Sequence, residues 1–574
     1  MRKDTANSIK QRWLEGRLPE VAVVVPEPVG PLDDALPVGP LHLHHLVRRF
    51  LSRLSPDDRY GVAEYCKENL PRLNVATACS GTDGPLLCWA AITEVLKADM
   101  GIDISLNHVF SCESMTAKQQ FIQRCFPHLK VIYKDALQLP ESSAQDVLSR
   151  NSSEASVDID SFAAGFPCTD CSGLNGSAGT EENRSCVLDS GLRTGSVFHA
   201  LRSFVMKCRR QSPKSMRLVA WENVPGLATP PVDKRTGEQT GPSNMVVVVH
   251  MMREAGYFIV VFRMSPVHFG VPQNRPRLYV LCVPLEMLTH MSEEAALEFC
   301  IRGMNLLVGS QLQELGDYLL PHSHAAVRRH YQELRGKNRS AEASDTVDDS
   351  LWQSSWGVVP QARGRCGGAK KSQPDWPRKH MKVFAKRGLD WAMTPLEPPG
   401  GIKDVLPGLY DVTPREFERL HLCGVRSFPA SSLQIVEVSQ DLGRSCTVHT
   451  EDTRCIGTIF PNARFYATTK ARFLLGIEQM HLQSLWFSDS LMTTCSNNLL
   501  KSLSGNAFEC SCSTSVFFLG LWLLSAQGSR HICSIPPEVG VGDHASEDDL
   551  LDSSDHSDDD LGRVWGKRAR LNLS

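Results

Sequence analysis

The feature that most constrains the fold is an alternation, between residues 73 and 285, of short apolar runs with stretches of helical spacing. The runs lie at 74–78, 108–112, 130–133, 157–164, 218–221, 257–262 and 278–281. Within 85–97, apolar residues recur at helical spacing. Strands that alternate with helices predict an α/β fold with a doubly wound sheet. Ligands bind such sheets beyond the carboxyl ends of the strands.

The length of the chain predicts more than one region, because 574 residues exceed what one compact core usually holds. We interpret residues 1–70 as an N-terminal extension and 71–285 as the α/β domain. The alternation fades in 286–460, where the sequence is mixed. Packed structure returns in 461–530, and 531–574 form a tail. The apolar run 516–524 is too short to span a membrane, so we expect a buried helix and no membrane contact.

Charge is unevenly distributed along the chain, although the net charge is only −3. The segment 361–387 contains nine Lys or Arg and the single acidic residue Asp375. It is either a solvated basic loop or a segment that contacts phosphates. The segment 543–560 contains nine acidic residues and no Lys or Arg, which predicts a disordered acidic tail. The cluster 566–570 is a weak candidate for a nuclear targeting signal.

The cysteines and histidines do not indicate disulfides or a metal site. The 19 cysteines have no even framework of spacings, and the first residues lack the apolar core of a signal peptide. We therefore expect most thiols to be reduced, buried and intracellular. His42, His44 and His45 lack a second cluster at ligand spacing, so we predict no metal.

Reactive side chains follow the predicted strands. The first strand runs into the loop 79–85, the second ends at Glu113 and the third at Asp135. The fourth leads to Gly165-Phe166-Pro167-Cys168, where the start of a helix would stabilise a thiolate. The fifth ends in Glu222-Asn223-Val224, and the last is preceded by Gln273-Asn274-Arg275-Pro276-Arg277. Singly, each has an ordinary structural interpretation, such as a helix cap or a buried cysteine.

Together these motifs resemble the DNA (cytosine-5) methyltransferase family. Pro-Cys, then Glu-Asn-Val, then Gln-x-Arg-x-Arg occur in that family's order. Asp189, Gly191, Arg193 and Gly195 resemble the motif after the Pro-Cys loop, and 438–444 with 472–483 resemble a late motif. Ser504-Gly505-Asn506-Ala507 resembles the closing motif. The resemblance covers residues 73–285 and 436–526.

The resemblance implies a Rossmann-like methyltransferase sheet with an inserted target-recognition domain at 286–460 and a return segment at 461–530 that completes the catalytic domain. The implied cofactor is S-adenosyl-L-methionine, and the implied partner is double-stranded DNA, with RNA as an alternative. The enzyme would be nuclear if the source is eukaryotic. Oligomeric state, target sequence and maintenance or de novo activity are not predicted.

The chemistry explains why the family needs these residue types. A thiolate of Cys168 that adds to C6 of a flipped-out cytosine makes C5 nucleophilic. Glu222 would protonate or hydrogen-bond N3 if its environment raises its pKa. The family implies that Arg277 holds O2, that Arg275 supports the loop, and that Asn223 and Pro167 shape the pocket.

The cofactor residues are also assigned by the resemblance. Cys79, Ser80, Gly81 and Thr82 would contact the methionine part of the cofactor. Glu113 would bind the ribose, Asp135 the adenine amino group, and Asn506 would complete the pocket.

The first loop departs from the family pattern of an aromatic residue followed by Ala-Gly-x-Gly-Gly. Cys79 removes an aromatic face, and Asp83 introduces a carboxylate where glycine is usual. The effect of this loop on cofactor affinity is not predicted by the sequence. Cys171 is a rival thiol, disfavoured because Pro167 precedes Cys168. Two other functions stay open: RNA cytosine methylation, as in the transfer-RNA branch, and an inactive nucleic-acid-binding paralogue.

Overall fold

The computed structural model describes residues 2–18, 21–337, 376–391, 406–440 and 454–526, together with 356–357 and 448–449. Within those ranges residues 174, 176, 190, 234, 290 and 426 are not described. The acidic tail and most of the basic segment therefore lie outside the described residues.

An eight-stranded mixed sheet forms the centre of the molecule. Its strands are β1 (Val23–Val24), β2 (Arg72–Ala78), β3 (Ser105–Cys112), β4 (Ile132–Tyr133), β5 (Ser161–Ala164), β6 (Leu218–Asn223), β7 (Tyr257–Met264) and β8 (Arg277–Pro284). The spatial order is β1-β7-β8-β6-β5-β2-β3-β4. The order of the strands switches at β2: β3 and β4 are added on one side of it, and β5 and β6 on the other. This confirms the doubly wound α/β prediction, and all seven predicted strands are present.

Two features of the sheet differ from the simple alternating pattern. Strand β8 is antiparallel to both of its neighbours, β6 and β7, whereas β2 to β6 run parallel. The short strand β1 comes from the N-terminal extension and pairs in parallel with β7. Because β8 runs in the opposite direction, its first residue, Arg277, lies at the same sheet edge as the last residues of β6.

The longer helices are α1 (Arg2–Leu14), α2 (His42–Arg53), α3 (Pro56–Asn69), α4 (Gly84–Met100), α5 (Thr116–Cys125), α6 (Arg193–Gln211), α7 (Asn244–Glu254), α8 (Glu293–Leu307), α9 (Ala325–Lys337), α10 (Trp376–Lys386), α11 (Pro414–Leu422), α12 (Asn497–Gly505) and α13 (Cys510–Ser525). Short helices lie at Glu181–Arg184, Cys186–Asp189, Gly476–His481 and Asp489–Thr494. Helices α2 and α3 are separate because the chain is extended at Leu54 and Ser55, and the Ser55 side chain caps α3.

The two faces of the sheet carry separate apolar cores, because side chains alternate along each strand. In β8, Tyr279 and Leu281 join the core beneath α2, α3, α4 and α13, while Leu278 and Val280 join the core beneath α6 and α7. Helix α13 lies close to the sheet, since a Cβ atom at Gly520 would be 2.3 Å from Leu218 Cδ1. The predicted buried helix around 516–524 is therefore confirmed.

A smaller four-stranded sheet follows the central one in the chain. Its strands are β9 (Ile435–Glu437), β10 (Val448–His449), β11 (Phe465–Ala467) and β12 (Arg472–Phe473), in the order β10-β9-β11-β12. It packs on the segment around Val271 and Tyr318 through a third apolar cluster.

Membrane-spanning potential is confined to one bent pair. Among the described residues, only α12 and α13 taken together have sufficient length and hydropathy, and they meet at 42°.

Candidate active site

The loop that carries Cys168 follows β5 and turns back on itself. The Cys168 carbonyl oxygen accepts N–H groups from Cys171 at 3.1 Å and Ser172 at 2.9 Å. The expected helix start is wrong, because 169–171 form a turn and the next described helix begins at Glu181. A helix terminus therefore does not activate this thiol.

Two residues at the end of β6 fix the position of the Cys168 loop. Asn223 donates from Nδ2 to the Phe166 carbonyl at 3.1 Å, and its Oδ1 accepts the Val224 N–H at 2.9 Å. Gly226 lies against the same loop, since a Cβ there would be 2.1 Å from the Cys171 carbonyl oxygen. No larger residue fits at 226 without moving the loop, a constraint that the sequence did not reveal.

Glu222 and Arg277 form an ion pair across β6 and β8. The Arg277 Nε atom is 3.2 Å from Glu222 Oε1. Burial raises the pKa of Glu222 above its ordinary value, although Arg277 and Arg275 oppose the rise. A carboxyl group with a raised pKa retains a proton more readily, which is the property required of an acid.

The thiol of Cys168 responds to the same charges. Burial raises its pKa, the Glu222 carboxylate raises it further, and Arg277 and Arg275 lower it. Cys168, Glu222 and both arginines therefore interact electrostatically, so the structure brings the predicted thiol, acid and base-holding cation together.

Arg275 is buried and joins distant parts of the chain. Its guanidinium donates to the carbonyls of Ile459, Gly505 and Ala507, and its backbone N–H donates to Ser265 Oγ at 2.8 Å. Arg275 thus holds the segment after α12 against the sheet edge. Its contacts position the backbone at Ile459, Gly505 and Ala507.

The loop after β2 is built from tight backbone turns. Cys79 and Gly81 both have positive φ angles, of 51° and 59°. Ser80 exchanges hydrogen bonds with the end of β3, where its N–H donates to the Cys112 carbonyl at 3.1 Å and its Oγ accepts the Cys112 N–H at 3.1 Å. The loop therefore lies directly beside Glu113.

Glu113 is buried and orders this loop. Its Oε2 accepts the Gly81 N–H at 3.0 Å, and its Oε1 accepts the Met115 N–H at 2.9 Å. Oε1 also accepts the Ser114 hydroxyl at 3.5 Å, whereas Oε2 keeps a further lone pair for a ligand hydroxyl.

The carboxylate of Asp83 points into the protein core and not to the surface of the loop after β2. It is fully buried and accepts hydrogen bonds from the hydroxyls of Thr77 and Ser111, with His108 Nε2 at 3.7 Å. Hence the carboxylate that replaces glycine at 83 lies in the protein core, where hydroxyl groups satisfy it.

The other predicted cofactor residues lie around the same loop. Asp135 is half-buried, and its Oδ1 accepts the Leu137 N–H at 3.0 Å, as in the cap interpretation. The Thr82 hydroxyl is buried, with no hydrogen-bond partner among the described residues. Asn506 is exposed and donates from Nδ2 to the Ser502 carbonyl at 2.8 Å. A Cβ at Gly81 would lie 3.6 Å from the Asn506 carbonyl, so α12 ends beside the first loop.

The chemistry of these donors fits a nucleoside cofactor. Glu113 and Asp135, after β3 and β4, provide acceptors for ligand hydroxyl and amino groups. The positive φ angles of the first loop let its backbone approach a ligand closely, and the Thr82 hydroxyl is free of a hydrogen-bond partner among the described residues. S-adenosyl-L-methionine has matching hydroxyl, amine and carboxylate groups.

Phe508 is a site residue that the sequence did not reveal. Its ring contacts the Cys168 loop, residues 165–168, which is called the nucleophile loop below after the predicted function of Cys168. A Cβ at Gly165 would lie 3.0 Å from Phe508 Cε2 and 3.2 Å from Glu222 Oε2. Phe508 lies far away in the sequence, and only the folded chain brings it to this position.

The remaining motifs have structural contacts. Thr194 N–H donates to Asp170 Oδ2 at 2.8 Å, which joins the start of α6 to the Cys168 loop. Arg472 and Glu478 form a fully buried two-pronged ion pair, with bonds of 2.8 and 2.6 Å. Part of the motif at 438–444 and the side chain of Asp189 lie outside the described residues.

Comparisons with known proteins agree with this arrangement. A family model described as C-5 cytosine-specific DNA methylase matches residues 101–298. The DNA (cytosine-5-)-methyltransferase DMT5 of Cryptococcus neoformans var. grubii is 29% identical over 255 residues, which cover 44% of this chain and 9% of that protein. DMT5 of Verticillium dahliae is 23% identical over 475 residues, which cover 78% of this chain and 19% of that protein. The chain thus spans less than a fifth of the length of these curated relatives.

Solved structures include a mutant of Spodoptera frugiperda DNMT2. It is 13% identical, with 78% of this chain and 99% of that chain covered and a TM-score of 0.35. The family model and the ordered motifs at the strand ends make this chain similar, over residues 101–298, to the C-5 cytosine-specific DNA methylases.

Proposed function

We propose that the chain is an S-adenosyl-L-methionine-dependent methyltransferase that modifies C5 of cytosine in DNA through a covalent adduct at Cys168. The observation that carries the proposal is the Glu222–Arg277 pair, 3.2 Å apart, which shares its electrostatic environment with Cys168. A thiol, an acid with a raised pKa and a fixed cation are the groups that addition to a pyrimidine ring requires.

The first step is addition of the Cys168 sulfur to C6 of the base. A bond forms between sulfur and C6, the C5–C6 π electrons form a C4–C5 double bond, and the C4–N3 π electrons move onto N3, from which the charge spreads to O2. Glu222 supplies a proton or a hydrogen bond to N3, and Arg277 stabilises the charge that develops at O2. Asn223 keeps the Cys168 loop in place through the Phe166 carbonyl.

The cofactor, when bound, supplies a methyl group attached to a positively charged sulfur. Glu113, Asp135, Thr82 and the backbone near Gly81 would hold it beside the nucleophile loop. After transfer, the C5 proton leaves to a base, for which water is the candidate. Elimination at C6 then returns the Cys168 thiolate and the methylated base.

The raised pKa of the Cys168 thiol must be overcome before addition. Glu222 and the two arginines act in opposite directions on the thiol pKa. When the target cytosine accepts a hydrogen bond from protonated Glu222, the carboxyl group stays neutral. Arg277 and Arg275 then act on the Cys168 pKa without an opposing carboxylate, and they favour the thiolate. Target entry and thiolate formation are coupled in this proposal.

Residues 286–460 are proposed to recognise the target. Helix α10 supports this assignment because Arg378, Lys382 and Lys386 are exposed along it. A buried hydrogen bond of 2.6 Å between His380 Nδ1 and Glu418 Oε2 joins this helix to α11. Exposed cations on an anchored helix are suited to phosphate contacts.

Covalent trapping tests the proposal. The full chain is incubated with S-adenosyl-L-methionine and either a DNA duplex or an RNA that contains 5-fluorocytosine, which cannot lose a proton from C5. We expect a denaturation-resistant complex with DNA that is absent for Cys168→Ser and retained for Cys171→Ser. An adduct with RNA alone would replace DNA by RNA as the substrate, and no adduct on either would favour an inactive binding protein.

A further inference from the structure

Phe508 lies on the path between the cofactor loop and the nucleophile loop. Its backbone is next to the first loop, because its carbonyl oxygen would be 3.4 Å from a Cβ at Gly84. Its ring is next to the second loop, with Cε2 at 3.0 Å from a Cβ at Gly165. The residue therefore lies between the start of α4, which follows the first loop, and the loop that carries Cys168.

The backbone on both sides of Phe508 is fixed. The Ala507 carbonyl accepts a hydrogen bond of 3.1 Å from Arg275. The Glu509 carboxylate accepts the N–H groups of Ser511 at 3.0 Å and Cys512 at 2.7 Å, which caps α13. With its flanking residues held, the ring has little freedom to leave the site.

The ring and the Glu222 carboxylate flank the same point of the nucleophile loop. A Cβ at Gly165 would contact both, at 3.0 Å from the ring and 3.2 Å from Glu222 Oε2. Residues 79–82 of the first loop are Cys, Ser, Gly and Thr, so they offer no aromatic face. Phe508 is therefore an aromatic side chain beside both Glu222 and the loop that carries Cys168.

We propose, building on the function above, that the face of Phe508 binds the positively charged sulfur of S-adenosyl-L-methionine and distinguishes it from the neutral product. An aromatic face attracts a cation, and the attraction increases when water is excluded. S-adenosylhomocysteine has an uncharged thioether at the same atom. Phe508 thus favours the methyl donor over the spent cofactor.

The test compares the affinities of the full chain for the two cofactors by calorimetry. In Phe508→Leu, we expect the Kd for S-adenosyl-L-methionine to rise about tenfold, while that for S-adenosylhomocysteine changes by less than about twofold. The control is Phe299→Leu, which removes a buried ring that contacts Trp522 at 4.8 Å between centroids. It should leave the ratio of the two affinities unchanged.

The outcomes separate this inference from the proposed function. Equal weakening of both cofactors in Phe508→Leu overturns the cation contact but leaves the methyltransferase proposal intact. If the unchanged protein binds neither cofactor, the proposed function itself fails. Should Phe508→Leu not fold, a fluorinated phenylalanine at 508 keeps the shape and weakens the negative face. It must then reduce affinity for the charged cofactor alone.

Discussion

At the scale of single residues, the site depends on how Glu222 and Cys168 affect each other. Glu222 is buried and its pKa is raised, so it is protonated to a higher pH than an ordinary glutamic acid. When it does ionise, its negative charge disfavours a thiolate at Cys168 and raises the thiol pKa. Ionisation of Glu222 therefore removes a proton donor and at the same time disfavours the thiolate of Cys168.

Glu222→Gln should separate these two effects. The amide cannot ionise, so it removes a cause of the raised Cys168 pKa and leaves Arg277 and Arg275 to lower it. We expect the pH profile of Cys168 alkylation by iodoacetamide, followed by peptide mass spectrometry, to shift to lower pH.

The same variant should form the 5-fluorocytosine adduct more slowly, because an amide does not supply a proton to N3. Cys168→Ser identifies the alkylated peptide among the other thiols. An unchanged alkylation profile would show that Glu222 does not control the thiol.

The sequence predicted which side chains lie together at the sheet edge better than it predicted the contacts around them. Cys168, Glu222 and Arg277 were found because each follows or precedes an apolar strand, and strand ends share one edge of a sheet. The direction of Asp83 was not predictable, because its partners Thr77, Ser111 and His108 come from two different strands. The contacts of Gly226 and Phe508 depend on loops that meet only in the folded chain.

At the scale of elements, Arg275 determines how the return segment meets the sheet. Its carbonyl partners are Ile459, before the small sheet's last two strands, and Gly505 and Ala507, at the end of α12. A charged guanidinium that donates to several buried carbonyls connects three elements at once.

Arg275→Met should destabilise the fold and loosen the segment after α12. The loss of charged hydrogen bonds and the unpaired carbonyls cost on the order of 3 kcal/mol or more. Urea denaturation should show this loss, and hydrogen exchange should increase at residues 497–512. Arg277→Met provides the comparison, since Arg277 pairs with Glu222 at the half-buried site and should affect adduct formation more than stability.

The elements themselves were largely predictable, but their partners were not. Apolar runs revealed seven strands, because a strand that is buried on both faces of its sheet consists almost entirely of hydrophobic residues. The reversed direction of β8 and the added strand β1 escaped prediction, because pairing direction depends on the connections and not on the strand's own residues.

At the scale of the whole molecule, the N-terminal extension is part of the central core. Phe50 of α2 is fully buried and its ring centroid is 5.4 Å from that of Phe518 in α13. Trp522 Nε1 donates to Asp58 Oδ1 of α3 at 3.1 Å. The helices of residues 42–69 therefore cover the face of the sheet on which α13 packs.

We expect Phe50→Ala to reduce the free energy of unfolding of the entire sheet by about 3–5 kcal/mol, since it leaves a cavity beneath α13. Urea denaturation followed by tryptophan fluorescence should give one transition, shifted to lower urea. Tyr60→Ala, at a side chain 67% exposed on α3, should have little effect. Two separate transitions, of which only one moves, would show that the extension folds independently.

The distribution of charge over the whole chain leads to a prediction about nucleic-acid affinity. Arg378, Lys382 and Lys386 are exposed on α10, and the acidic segment 543–560 contains nine carboxylates. If α10 contacts phosphates, each cation that does so contributes roughly 0.9 to the slope of log Kobs against log salt concentration. Replacing all three by Gln should reduce the slope by about 2–3 and weaken binding of duplex DNA.

Deletion of residues 543–574 should instead tighten binding at low salt, because the acidic segment competes with DNA for the same cations. The two changes share a cause, so the deletion should have no effect in the triple variant. Fluorescence anisotropy with a labelled duplex at several salt concentrations measures both. The matched control is Arg210, Lys214 and Arg253, exposed cations near α6 and α7. If their replacement by Gln reduces the slope equally, α10 has no special contact with DNA, and the tail acts through net charge alone.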